Sequence, residues 1–145
     1  METASAARPY VVGVGAANLD IHGRPKKAIV MHDSNPGHMN ASAGGVTRNV
    51  CDNLARLGAD VRLISAVGTD LYADVIRQEC TAAGIDVSQL CVAPGCASST
   101  YLSILDEHGD MLVALSDMTV LQEHLTHEIL DSRAELLQNA TIVTC

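Results

Sequence analysis

Residues 43 to 49 read Ala43-Gly44-Gly45-Val46-Thr47-Arg48-Asn49 and continue as Val50-Cys51-Asp52-Asn53-Leu54-Ala55-Arg56-Leu57-Gly58; a strand-like segment then ends in Ser65-Ala66-Val67-Gly68-Thr69-Asp70. The paired glycines let backbone approach a ligand with no Cβ in the way. Val46, Val50, Leu54 and Leu57 recur at helical period, and Gly58 is a C-terminal stop, so a glycine turn opens a helix with one apolar face. The free N–H groups of such a helix start point outward, and Asn49 adds a side-chain amide in the first turn. Taken alone, the stretch also reads as a glycine turn capping an ordinary amphipathic helix.

Upstream, Tyr10-Val11-Val12-Gly13-Val14-Gly15 is an apolar run bounded by turn residues, which predicts a buried strand. Gly13-x-Gly15 after a strand is the start of a dinucleotide fingerprint, but Asn18 replaces the third glycine and no helical pattern follows, so that reading fails. What remains is an extended Ala16-Ala17-Asn18-Leu19-Asp20-Ile21, with Asn18 and Asp20 two apart and hence on one side. Two polar groups on one side can bind a diol; Asn and Asp also end strands because they bond their own backbone.

Lys26 to His32 reads as a short strand, Asp33-Ser34-Asn35-Pro36-Gly37 as a turn, and the residues through Ala41 as the second arm of a hairpin. Val61 to Val67 is strand-like, and Asp70 caps a helix through Tyr72, Val75, Ile76 and Cys80 to Gly84. Strand, helix, strand, helix predicts a parallel sheet with crossovers. From Ser88 the pattern changes: Leu90 to Val92, Ser99 to Leu105 and Met111 to Leu115 read as strands, with Asp106 to Asp110 as a hairpin turn. With residues 26 to 41 these are expected to form a second, smaller sheet. Glu123 to Gln138 reads as one helix and Ala140 to Cys145 as a buried strand; a core strand at a terminus predicts that the chain stops inside a larger fold.

Composition narrows the function classes. The 145 residues suit one domain, and 48% hydrophobic content is enough for a packed core built from Val, Leu, Ile, Ala and Met, since Phe and Trp are absent and Tyr10, Tyr72 and Tyr101 are the aromatics. A net charge of −8 and so few aromatic rings exclude a phosphate-backbone or base-stacking nucleic-acid binder, leaving small ligands. Cys51, Cys80, Cys91, Cys96 and Cys145 are scattered, odd in number and without a Cys-x-x-Cys pair, as expected for free thiols in a reducing compartment. Cys51 reads as a buried structural thiol. His124 and His127 stand at i, i+3 without a partner at zinc-site spacing and read as a solvated helix face. Residues 1–9 carry Glu2 and Arg8 with no apolar core, so they read as a disordered N-terminus rather than a secretory signal. No run of about eighteen apolar residues predicts a membrane span, and the cytoplasm is the expected location.

Gly15-Ala16-Ala17-Asn18-Leu19-Asp20, Ala43-Gly44-Gly45-x-x-x-Asn49, Gly58 and Val67-Gly68-Thr69-Asp70, in that order and spacing, resemble the ribokinase-like, PfkB-type family of carbohydrate and nucleoside kinases. The resemblance covers residues 10 to 145. Asp33-Ser34-Asn35-Pro36-Gly37, Arg48-Asn49, Ser65 to Gly68, Ser98 to Leu102, Met111 to Ala114 and Asp117-Met118 are most similar to the pseudouridine kinase branch. Thr47 and Ala73 stand where the family usually has a small residue or glycine, and Cys51 where it has Ser, Thr or Ala. Thr47 is expected to narrow the approach to the helix start.

The resemblance implies an α/β fold, a parallel sheet with flanking helices plus a small β lid from residues 21–42 and 88–118. Residues 10–145 would be the N-terminal part of the kinase domain, cut before the ATP-binding half. It implies that Asn18 and Asp20 bond sugar hydroxyls while Gly44, Gly45 and Asn49 hold the sugar, with Arg48, Ser99, Tyr101 and Asp117 as further candidates for sugar or base contacts. The implied reaction is phosphorylation of pseudouridine by Mg-ATP in the complete enzyme. The family's Gly-Ala-Gly-Asp segment, with its base and anion hole, has no counterpart in these residues, so no catalytic, ATP or metal residue is expected in this chain. A homodimer paired through the lid is the implied assembly. A truncated binding module and a ribose- or fructose-type carbohydrate kinase are the alternatives.

Overall fold

The computed structural model describes residues 8–145. The disordered segment expected over residues 1–9 therefore falls mostly outside the described residues; Arg8 and Pro9 are exposed and irregular. In chain order the elements are β1 (Tyr10–Val14), β2 (Asn18–Pro25), β3 (Gly37–Gly44), α1 (Val46–Arg56), β4 (Asp60–Ile64), β5 (Ala66–Val67), α2 (Leu71–Ala82), β6 (Ile85–Asp86), β7 (Cys91–Val92), β8 (Thr100–Leu105), β9 (Met111–Asp117), α3 (Thr119–His124), α4 (His127–Asp131), α5 (Ala134–Gln138) and β10 (Ile142–Thr144).

The main sheet runs β10-β1-β4-β6, all parallel, with crossovers through α1 and α2. Its strands are Val-, Leu- and Ile-rich because both faces are covered. On one face Cys51 of α1 and Ile76 and Cys80 of α2 close over Val61, Leu63 and Ile85; on the other, Tyr10, Val12 and Ile64 meet Leu125, Leu130, Leu136 and Leu137 of the C-terminal helices. A second sheet, order β3-β2-β8-β9, stands beside it, and β5 pairs β7 in a short third ladder.

Helix α1 begins at Gly45, whose φ of 101° favours glycine, and has no side-chain cap. Its buried side differs from the expected one. Thr47, Arg48 and Cys51 face inward while Val46 and Leu57 are more than three-quarters exposed. The cause is β1 and the residue after it: a Cβ at Gly13 would run into Cys51 Sγ, and one at Gly15 into Thr47 Oγ1, so these glycines make room for a threonine and a thiol on the helix. Thr47 thus packs against β1, contrary to the expectation that it narrows the approach to the helix start. Ala73, the other departure, is in the first turn of α2 and buried in the core.

Four other expectations need correction. The hairpin exists, but its first arm is β2, with Pro25 opposite Gly37; residues 26–36 form the connection, folded on Asn35, whose side chain accepts from Val30 N at 2.8 Å and donates to Val30 O at 2.9 Å. The strand expected over 61–67 breaks at Ser65, and its last two residues pair with Cys91 and Val92, which therefore stay out of the second sheet. The helix expected over 123–138 is three short helices: Leu125 leaves helical geometry and Thr126 starts α4 as a side-chain cap. The C-terminal strand forms as expected, beside β1, yet Ile142 and Val143 are exposed rather than buried because β10 is an edge of the sheet.

Candidate functional site

The alternation of β2 sets the site. Asn18, Asp20 and His22 share one face, and the register with β8 places Tyr101 beside Asp20 and Ser103 beside His22 on that face. The opposite face carries Leu19, Ile21, Leu102 and Ile104, with Met39, Val113 and Leu115 exposed on the strands next to them. The second sheet therefore has a polar side and an apolar side.

Where the polar side meets the start of α1 there is a cleft of about 370 Å³, lined by Ala16, Asn18, Asp20, Gly45, Val46, Asn49, Tyr101, Met118 and Leu121. Asn18 is buried and its Nδ2 donates to Asp20 Oδ1 at 2.5 Å, which fixes the carboxylate while Asp20 stays partly open to solvent. Gly44 pairs with Asn18 across the hairpin, and a Cβ there would overlap the Asp20 carboxylate; one at Gly45 would meet Ala16 O at 2.5 Å and Asn18 Oδ1 at 2.7 Å. Gly44 is thus required beside a carboxylate and Gly45 beside a backbone carbonyl and an amide oxygen. Val46, Tyr101, Met118 and Leu121 form the apolar wall, and the Tyr101 hydroxyl is held by Met111 Sδ at 3.3 Å. The cleft thus joins hydroxyl acceptors to a flat apolar surface, a combination that fits a sugar carrying a ring.

Of the residues expected at a site, the fold gathers Asn18, Asp20, Gly45, Asn49 and Tyr101 around this cleft, with Gly44 directly behind Asp20. Three are placed elsewhere. Arg48 is buried on α1, paired with Asp52 at 3.0 Å and reaching Asn49 Oδ1 at 3.3 Å, because position 48 lies on the inward side of the helix. Ser99 is buried where β8 meets β2, its carbonyl accepting from Leu19 N at 2.9 Å. Asp117 is exposed and accepts from Thr119 N at 3.0 Å; this backbone bond holds its carboxyl below the usual value. Val46 and Leu121 are cleft residues beyond those expected: Val46 at helical spacing reads as core, and Leu121 lies before the helix expected from Glu123 with no signal of its own. Met118 carried one signal, its place directly after Asp117.

The turn that carries Gly68 and Thr69 is fixed by Asp70. Asp70 caps α2 by accepting from Ala73 N at 3.0 Å and holds the following loop through Ser98, N at 2.9 Å and Oγ at 2.7 Å. Burial alone raises this carboxyl, but the bonds from Ser98 and Ala73 outweigh it and hold Asp70 below its ordinary value. Cys51 behaves as the expected structural thiol: burial, with Cys80 beside it, pushes it up to about 11. Burial likewise raises Cys80. His124 is half-buried against Cys96 while His127 is exposed, so the two do not form the shared solvated face expected of them. Among the described residues no group of three or more His, Cys, Asp or Glu side chains is arranged to hold a metal ion, and no helix is long and apolar enough to cross a membrane.

A parallel sheet flanked by helices, with a four-stranded sheet standing over a glycine-led helix start, defines a ribokinase-like α/β protein. The chain belongs to the pfkB family of carbohydrate kinases, whose family model matches residues 8–145. It is 39% identical over 136 residues to a pseudouridine kinase of Escherichia coli K12, covering 94% of this chain and 43% of that protein. It is 40% identical over 134 residues to an uncharacterized sugar kinase, YeiI, of the same strain, covering 92% of this chain and 37% of that protein. A putative sugar kinase from Clostridium perfringens superposes with a TM-score of 0.84 at 33% identity, over 94% of this chain and 43% of that one. The chain thus spans less than half the length of these relatives.

Proposed function

We propose that these residues bind the phosphate acceptor of a sugar or nucleoside kinase and that the acceptor is pseudouridine. The observation that carries this reading is the Asn18-fixed Asp20 carboxylate facing an apolar wall across one cleft. Asp20 accepts from two hydroxyls of the ribosyl ring in charge-assisted bonds, Asn49 adds an amide, and Gly44 and Gly45 admit the sugar close to backbone. Tyr101, Met118 and Leu121 cover the base. Neither hydroxyl-only ribose nor fructose uses that wall, so a nucleoside gains apolar burial that a bare sugar does not. The E. coli pseudouridine kinase supports the choice of base.

In the whole kinase the donor is Mg-ATP, which supplies the phosphoryl group. None of the described residues is assigned to it: the sequence holds no Gly-x-x-x-x-Gly-Lys-Ser/Thr loop, and no acidic side chain at the cleft other than Asp20 lines it. The role of residues 1–145 is to bind, orient and shield the acceptor. The second sheet, residues 18–44 and 100–117, acts as the lid that keeps water from the transfer. Its apolar side pairs with a second copy. Five free cysteines fit a cytoplasmic enzyme.

Competition calorimetry with pseudouridine, ribose and fructose tests the acceptor. Pseudouridine is expected to bind most tightly; tighter binding of ribose moves the reading to a simple sugar kinase. With labelled ATP and magnesium, the 145-residue chain is expected to bind pseudouridine without forming labelled product. A product yield clearly above a protein-free control overturns the division of roles.

A further inference from the structure

Away from the cleft, the loop after β7 presents Cys96 to the end of α3, with Cys96 Sγ 3.5 Å from His124 Nε2. Both residues are half-buried, so the thiol is in contact with a base and still open to a small reagent. The loop is held in place: Cys96 N donates to Ala93 O at 3.3 Å, Cys96 O accepts from Thr69 N at 3.2 Å, and the backbone at Cys96 presses so closely on Gly68 that a Cβ there would collide with it. The other thiols lack this setting. Cys51 and Cys80 are buried and their thiols held protonated by that burial, whereas Cys91 is half-buried and Cys145 exposed, and neither makes a side-chain hydrogen bond among the described residues.

We propose that Cys96 and His124 form a nucleophile and base pair, making Cys96 the preferred site on this chain for covalent modification by small soft electrophiles. With its ring proton on Nδ1, His124 accepts the thiol proton at Nε2. Sγ then attacks the carbon that bears the leaving group: the S–C bond forms, the carbon–halogen bond of a haloamide breaks, and the halide departs with the bonding pair. The consequence reaches the cleft. Cys96 packs in one small cluster with Val120, Leu121 and Leu125, and Leu121 is also part of the cleft's apolar wall, so an adduct on Cys96 lies against the helix that carries part of that wall.

The test is limited alkylation of the folded chain with iodoacetamide near pH 7, with the rate at each cysteine followed by peptide mass spectrometry. Cys145 is the internal reference for an exposed thiol without a base. Cys96 is expected to react about fivefold or more faster than Cys145, despite being less exposed, while Cys51 and Cys80 stay unlabelled. His124→Gln is expected to bring Cys96 below the Cys145 rate and leave Cys145 unchanged. If that variant exposes Cys51 and Cys80, it has unfolded; the wild-type ratio and a His124→Asn variant then decide. A wild-type Cys96 slower than Cys145, or a Cys96 rate unaffected in a folded His124 variant, overturns the pair.

Discussion

Gly44 and Asp20 lie diagonally across the β2–β3 hairpin, so close that a side chain at position 44 and the Asp20 carboxylate exclude one another. The carboxylate is held from the other side by Asn18 Nδ2. Gly44→Ala therefore has to push Asp20 off that bond. Overpacking of this kind costs about 1–3 kcal/mol, and pseudouridine affinity is expected to fall about tenfold or more, read by calorimetry; unchanged affinity removes Asp20 from the ligand site.

Thr47 makes the opposite case. Its side chain fills the space above Gly13 of β1 and Gly15 just beyond it and does not line the cleft. Thr47→Gly is expected to lower stability by about 1–2 kcal/mol through helix propensity and the space left behind. Ligand affinity is expected to stay within error. Urea unfolding with parallel titrations checks both, and a gain in affinity would show that Thr47 does narrow the site.

Asp70 gives the pH dependence. Its folded-state value lies below the ordinary one, so its contribution to stability is complete above the unfolded carboxyl value, about 3.9, and is lost as pH falls from there through the folded value. Denaturant midpoints between about pH 6 and pH 3 are expected to drop less steeply for Asp70→Asn than for wild type. At neutral pH, Asp70→Ala removes the α2 cap and the clamp on Ser98 and is expected to cost about 2 kcal/mol. Parallel acid slopes for wild type and Asp70→Asn would show that the clamp carries no charge-dependent stability.

How much of this was legible beforehand follows from what each residue reports. Gly44-Gly45, the Asp70 cap and the β1 run carry their own geometry, because glycine conformation, capping and apolar burial are local properties. The inward side of α1 was not legible: Val46, Val50, Leu54 and Leu57 are the apolar choice, but Gly13 on a distant strand and Gly15 at its end select Thr47 and Cys51. The first hairpin arm was misplaced for a similar reason. Ala28-Ile29-Val30-Met31 looks more strand-like than His22-Gly23-Arg24-Pro25, yet pairing of all four with β3, and of His22 and Gly23 with β8 as well, fixes the latter as strand. Asn18 and Asp20 could be placed together from period-two spacing alone, whereas Tyr101, Met118 and Leu121 arrive at the cleft only through the second sheet and α3.

The apolar side of that second sheet gives an assembly prediction. Met39, Val113 and Leu115 are each more than half exposed on it. Covering them with a second copy is expected to yield a homodimer by light scattering. Leu115→Glu is expected to shift the mass to monomer; a wild-type monomer at high concentration removes the pairing.

The central claim is that the Asp20 carboxylate holds the ribosyl hydroxyls of a nucleoside in the cleft at the start of α1. Titration of pseudouridine into wild type and into Asp20→Ala tests it most directly. Losing a carboxylate opposite bound hydroxyls costs roughly 1.5–3 kcal/mol, about a 10- to 150-fold loss of affinity, and a saturable wild-type isotherm weakened by that factor is the expected result. Equal affinities for the two proteins, or no saturable binding to the wild type, would contradict it.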